Sequence, residues 1–185
     1  MKLFTALLLL CTLVFSQKDQ FGLFAGTNYN SFKMDSSGKD GLENRWDFDL
    51  GLNYNMENLL LSASYERKSH QFKNGDNYKT YTYLTLSPKY KFGLQNVYLF
   101  AGPAIGFRLS ATETSDGKTK DIADPDKKLK DIRYSIIAGA AMHFDNLQLT
   151  ASYDYGLSDV SDIEVNDKHI SNKFHSFKLG VGFLF

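Results

Sequence analysis

The sequence predicts an all-β fold, an eight-stranded antiparallel up-and-down transmembrane β-barrel, and three features carry that expectation. Apolar and polar residues alternate with a period of two in a series of segments, each roughly ten residues long. Eight such segments can be read, an even number, as an up-and-down barrel of this kind needs. The linkers between them alternate between long and short, as they do when one end of a barrel carries tight turns and the other carries loops.

Composition agrees with the pattern. Aromatic residues make up 15% of the chain, with Tyr 11 and Phe 15, although mean hydropathy is only -0.32. A chain can be polar on average and still face lipid if only alternate residues do so and the others face a polar lumen.

The first strand, Phe21 to Phe32, sends Phe21, Leu23, Ala25, Thr27 and Tyr29 one way. The second shows the alternation most clearly. Trp46, Phe48, Leu50, Leu52 and Tyr54 share one face, and Arg45, Asp47, Asp49, Gly51 and Asn53 share the other. A helix would scatter those charges around its circumference, whereas the pleat of a strand places all of them on one side. The third strand, Leu59 to His70, aligns Leu59, Leu61, Ala63 and Tyr65, and the fourth, Tyr78 to Tyr90, aligns Leu84, Leu86 and Tyr90. The fifth, Val97 to Leu109, carries Val97, Leu99, Ala101, Ile105 and Phe107. Ile132 to Phe144 follows with Ile136, Ala138, Ala140, Met142 and Phe144, then Leu147 to Leu157 with Leu149, Ala151, Tyr153 and Tyr155. The last strand, Lys173 to Phe185, aligns Phe177, Leu179, Val181, Phe183 and Phe185. Pro88 and Pro103 fall inside strands, where each removes a ladder bond, so a bulge or local break is expected at each.

The linkers are Lys33 to Asn44, Asn55 to Asn58, Gln71 to Asn77, Lys91 to Asn96, Ser110 to Asp131, Asp145-Asn146 and Ser158 to Asn172. Asn55-Met56-Glu57-Asn58, Gly93-Leu94-Gln95-Asn96 and Asp145-Asn146 have the composition of tight turns. The long-and-short order suits a chain that enters from the periplasm, with both ends of the mature chain left there. Phe21 and Tyr29, Trp46 and Tyr54, and Phe177 and Phe185 are spaced alike on the outward face. At about 3.3 Å per residue and a tilt near 40°, each pair spans roughly 20 Å of membrane normal, the separation of two aromatic girdles.

The N-terminus has the order of a secretory signal. Lys2 precedes the apolar run Leu3 to Leu10 and Thr12 to Phe15, and Ser16 offers a small residue for cleavage before Gln17. The run is too short to span a membrane as a helix. Residues 1–16 are therefore expected to be a cleaved signal peptide and 17–185 the barrel domain. Cys11, the single cysteine, lies inside the run, so the mature chain has neither disulfide nor thiolate chemistry. Acylation of Cys11 would need a small residue before it, and Leu10 stands there. Lys+Arg 21 balance Asp+Glu 21, so no excess charge points to nucleic acid.

Several strand texts carry a resemblance. Pro88-Lys89-Tyr90-Lys91-Phe92, Tyr98-Leu99-Phe100-Ala101-Gly102-Pro103-Ala104-Ile105-Gly106, Tyr153-Asp154-Tyr155-Gly156-Leu157 and Phe177-Lys178-Leu179-Gly180-Val181-Gly182-Phe183-Leu184-Phe185 are similar to the outer-membrane β-barrel domain family of Gram-negative bacteria, the porin-family or PorT-like small barrels. The resemblance implies residence in the outer membrane, contact with its lipid, and recognition of Phe185 by the barrel-assembly machinery.

Arg45, Asp47, Asp49, Glu66, Lys68, Lys89, Arg108, Arg133, His143, Asp154 and Lys178 fall on the inward face. An eight-stranded barrel is just wide enough for side chains to fill, and buried charges must pair, so a salt-bridged plug is expected, with a narrow channel as the alternative. His169-Ile170-Ser171-Asn172 resembles the His-x-Ser-Asn of lipid A deacylases. Those enzymes place an acid after the serine, whereas no acidic residue follows Ser171, and Glu164 and Asp167 read as loop solvation. Asp124-Pro125-Asp126 and Asp159 to Asp162 lack the spacing of a calcium loop. The reading is a monomeric, non-enzymatic barrel without cofactor or metal, structural or binding an unidentified extracellular ligand through its long loops.

Overall fold

Alternation leaves each segment with one apolar and one polar face, and a single closed sheet lets eight such segments point their polar faces at one another. The computed structural model describes residues 20–34, 42–73, 77–93, 96–122, 129–161, 163–165 and 168–185; the expected signal peptide lies outside them. Among the described residues the strands are β1 (Gln20–Met34), β2 (Leu42–Asn55), β3 (Leu59–Phe72), β4 (Tyr78–Gly93), β5 (Val97–Ser115), β6 (Lys118–Asp121), β7 (Ile132–Phe144), β8 (Leu147–Gly156), β9 (Ile163–Val165), β10 (Lys168–Ile170) and β11 (Asn172–Leu184).

Eight of them form the barrel. β1 to β5 pair in sequence order, β5 continues to β7, β7 to β8 and β8 to β11, and β11 returns to β1, all antiparallel. The closing register runs from Gly22↔Leu184 to Met34↔Asn172, and Phe185 extends it through two backbone hydrogen bonds with Phe21, at 2.8 and 3.2 Å. Every outward residue named from the alternation faces outward. Leu50 is 49% exposed and its neighbour Asp49 only 5%, the inverse of a soluble protein's distribution.

Register turns the aromatic spacing into a band. Trp46 pairs with Tyr29, Tyr29 with Phe177 and Phe177 with Tyr153, so four aromatic side chains run side by side around the wall. Tyr29 and Trp46 have ring centroids 5.0 Å apart; towards the other rim Phe21 and Tyr54 stack at 4.8 Å.

The prolines behave in a way that single-strand reading missed. The β4–β5 ladder keeps one register on both sides of a gap, from Leu86↔Ile105 to Tyr90↔Ala101, which sets Pro88 directly opposite Pro103. Two residues that cannot donate share one break, and each still has a partner on its other flank, Leu61 and Ile136 respectively. No bulge accompanies them. The irregularities lie elsewhere, at Thr82/Tyr83 in the same ladder and between Asn44 and Asp49 in the β2–β3 ladder. The sheet stays close across the gap because Gly102 has no side chain; a Cβ there would lie 2.0 Å from the Pro88 carbonyl oxygen.

The linker Ser110 to Asp131 is not wholly a loop. β5 continues to Ser115 and folds back through Asp116 (φ 51°) and Gly117 (φ 74°) into β6, a hairpin of the Asp-Gly kind. A second small hairpin, β9–β10, stands within the last long linker.

Candidate functional site

The lumen is filled in three layers. In the middle, β7 brings Arg133 against Asp154 of β8, and the guanidinium grips the carboxylate through both terminal nitrogens, with Nη1 reaching Oδ2 at 3.1 Å. Lys68 of β3 donates to the same Oδ2 at 3.0 Å and to Ser176 Oγ at 2.7 Å. Lys178 of β11 donates to Glu66 Oε1 at 2.6 Å and lies 3.8 Å from Asp49. All are buried, so each ion has lost its water and keeps its charge only through these partners.

Towards the tight turns the filling is neutral and polar. Gln148 Nε2 donates to the Tyr98 hydroxyl at 2.6 Å and lies 2.8 Å from His143 Nε2; Asn53 donates to Gln148 Oε1 at 3.2 Å, and Ser62 donates to Asn53 at 2.6 Å. Towards the loops it is aromatic. Phe32 stacks on His70 at 4.3 Å and meets Phe174 at 4.9 Å, Tyr81 meets Phe174 at 5.5 Å, and Ile122 and Val160 from the loops close over them.

Of the inward residues expected from the sequence, Asp49, Glu66, Lys68, Arg133, Asp154 and Lys178 share the central network, and Lys89 lies beside it without joining it. The others sit nearer the rims. Arg45 lies over the Tyr78 ring at 3.8 Å, Asp47 pairs with Arg67, Arg108 pairs with exposed Asp131, and His143 belongs to the neutral layer. The aromatic layer was missed, although Tyr81 and Tyr83 stand alone among inward positions of β4 as large rings and could have marked it.

Of the remaining motifs, the side chains of His169 and Glu164 lie outside the described residues. Ser171 Oγ donates to Asp159 Oδ1 at 2.7 Å, and the same oxygen accepts the Asn172 backbone N–H at 2.9 Å, so this hydroxyl ties a loop. Asp124, Asp126, Asp162 and Asp167 lie outside the described residues.

The sequence profile of a family described as outer membrane protein beta-barrel domain matches residues 3–185. No curated protein matches the chain. Among solved structures, Neisserial surface protein A (NspA) is similar at a TM-score of 0.61 and 17% identity, over 89% of this chain and 97% of that one. Ail, the attachment invasion locus protein of Yersinia pestis, is similar at a TM-score of 0.52 and 17% identity, over 91% and 99%. Ail in complex with the heparin analogue sucrose octasulfate also has a TM-score of 0.52, with 18% identity, over 91% and 99%. At these identities the likeness is one of fold. The match along nearly the whole chain and the closed eight-stranded sheet together make this protein a member of the outer membrane protein beta-barrel domain family, whose place is the bacterial outer membrane.

Proposed function

We propose that the protein is a non-enzymatic surface barrel, exported by its N-terminal segment, with its termini in the periplasm and its loop end outside the cell. There it acts by binding or as structural support, and its lumen passes no solute. The observation that carries this reading is the continuous filling of the interior, from the Tyr98–Gln148 layer through the ion pairs to the Phe32–Phe174 layer. A channel would need a continuous water path, and beside the central network the space is about 50 Å³. Purified protein in planar bilayers should give no conductance steps; reproducible steps would establish the channel alternative. Unchanged lipid A mass on overexpression is the matching expectation for the absence of an enzyme.

The loop end supplies the binding surface. Lys33, Lys118 and Lys120 stand exposed at the loop end beside exposed Asp116, Asp121 and Asp131, and the Yersinia barrel was solved with a sulfated sugar, so immobilised heparin is the first partner to test. Retention of intact expressing cells, lost when Lys118 and Lys120 become Gln, supports this reading; retention unchanged by those substitutions counts against it.

A further inference from the structure

The charges gathered in the middle of the lumen do not cancel. Lys68, Lys89, Arg133 and Lys178 face the three carboxylates of Asp49, Glu66 and Asp154, which leaves one positive charge in excess. The excess can be located. Every other cation has a carboxylate oxygen within ion-pair distance, whereas Lys89, only 8% exposed, has no hydrogen bond or ion pair among the described residues; its Nζ lies 5.2 Å from the centre of the Phe100 ring.

Lys89 lines a cavity of about 50 Å³ together with Asn53, Ser62, Ser87, Phe100 and Lys178. Ser87 stands two residues before Lys89 on the same inward face and is buried, and its hydroxyl also has no partner among the described residues. An unpaired ammonium and a free hydroxyl therefore open on the same space. Glu66 and Asp49 also border it; Lys178 donates to one Glu66 oxygen at 2.6 Å and lies 3.8 Å from Asp49 Oδ2, while Glu66 Oε2 and Asp49 Oδ1 accept no hydrogen bond among the described residues. A space of this size holds water molecules or a monatomic ion. A buried charge without a protein partner is unfavourable enough that it captures a counterion, gathers water or loses its proton.

We propose that this cavity is a binding site for a small monovalent anion of the halide class, held between the Lys89 ammonium and the Ser87 hydroxyl. The bound anion makes the plug electrically neutral. The site is independent of what the loops bind.

The test is the unfolding of the protein, purified from outer membranes into detergent, in urea at constant ionic strength, with chloride replaced stepwise by isethionate. Trp46, the single tryptophan, reports the transition. The midpoint should rise with chloride and follow mass action, by on the order of 0.7 M urea at ten times the dissociation constant. Lys89→Met should abolish the dependence. Ser87→Asp supplies a built-in counterion and should be equally insensitive to chloride, which keeps the test decisive if Lys89→Met does not fold. Equal wild-type midpoints in the two anions would show a lysine neutralised by proton loss or bridged by water alone, and would overturn the proposal. So would a chloride response that persists in both variants.

Discussion

Replacing Asp154 with Asn probes the central network at the point where most of it converges. The carboxylate is fully buried and accepts from Arg133 and from Lys68 at 3.0 Å, with Lys178 3.8 Å away. Asn has the same shape, so packing is preserved while the charge is lost. Arg133 then has no carboxylate partner among the described residues, and Lys68 keeps only Glu66 at 3.6 Å. Breaking a buried pair in this way costs about 3–5 kcal/mol, because the stranded cation cannot regain its water. With an m-value of about 2 kcal/mol/M, the urea midpoint followed by Trp46 fluorescence should fall by roughly 1.5–2.5 M. Asp49→Asn is the internal control. Its one cation lies at 3.8 Å, so a loss of about 1 kcal/mol is expected. Combining Arg133→Met with Asp154→Leu should recover part of the stability, since it removes the stranded guanidinium while Lys68 still keeps only Glu66. If Asp154→Asn cost no more than Asp49→Asn, the convergence of charges on Asp154 would not be what holds the lumen together.

Other perturbations test the wall and the orientation. Leu50→Arg should destabilise the protein by roughly 2–4 kcal/mol at the bilayer midplane, a penalty that relaxes in thinner bilayers; Asn53→Arg, crowded beside Lys89, should lose stability without that dependence on thickness. Gly102→Ala forces a Cβ onto the Pro88 carbonyl and should cost roughly 1–3 kcal/mol by parting β4 from β5, seen as faster amide exchange confined to those strands. Trypsin added to intact cells should cut between Ser110 and Asp131 and leave two membrane-held fragments, while a label aimed at Asn55 to Asn58 fails to react; cleavage only after the outer membrane is broken would invert the orientation. Phe185→Asp should lower the folded yield in outer membranes but not in detergent, and an unchanged yield would remove the side chain from the assembly step.

The outward set of each barrel strand was legible in the sequence because facing is decided locally: the pleat sends Leu50 to lipid and Asp49 to the lumen whatever surrounds them. The closed eight-stranded sheet followed from the same alternation together with the order of linkers. One local signal went unread, the Asp116-Gly117 dipeptide, which turns part of a supposed loop into the β5–β6 hairpin. What only the tertiary structure decided is which inward residues meet. Asp154 and Lys68 lie 86 residues apart in the chain, and Lys178 and Glu66 lie 112 apart. Their contact depends on the stagger accumulated across all eight strands, which no single strand encodes. The register of the single β4–β5 ladder sets Pro88 against Pro103, and the stagger of the whole sheet leaves Lys89 without a carboxylate. Alternation assigns a side chain to the lumen; the summed register of the closed sheet assigns it a partner, because a shift of one residue in any ladder would flip that strand's charges out of the lumen and into the lipid.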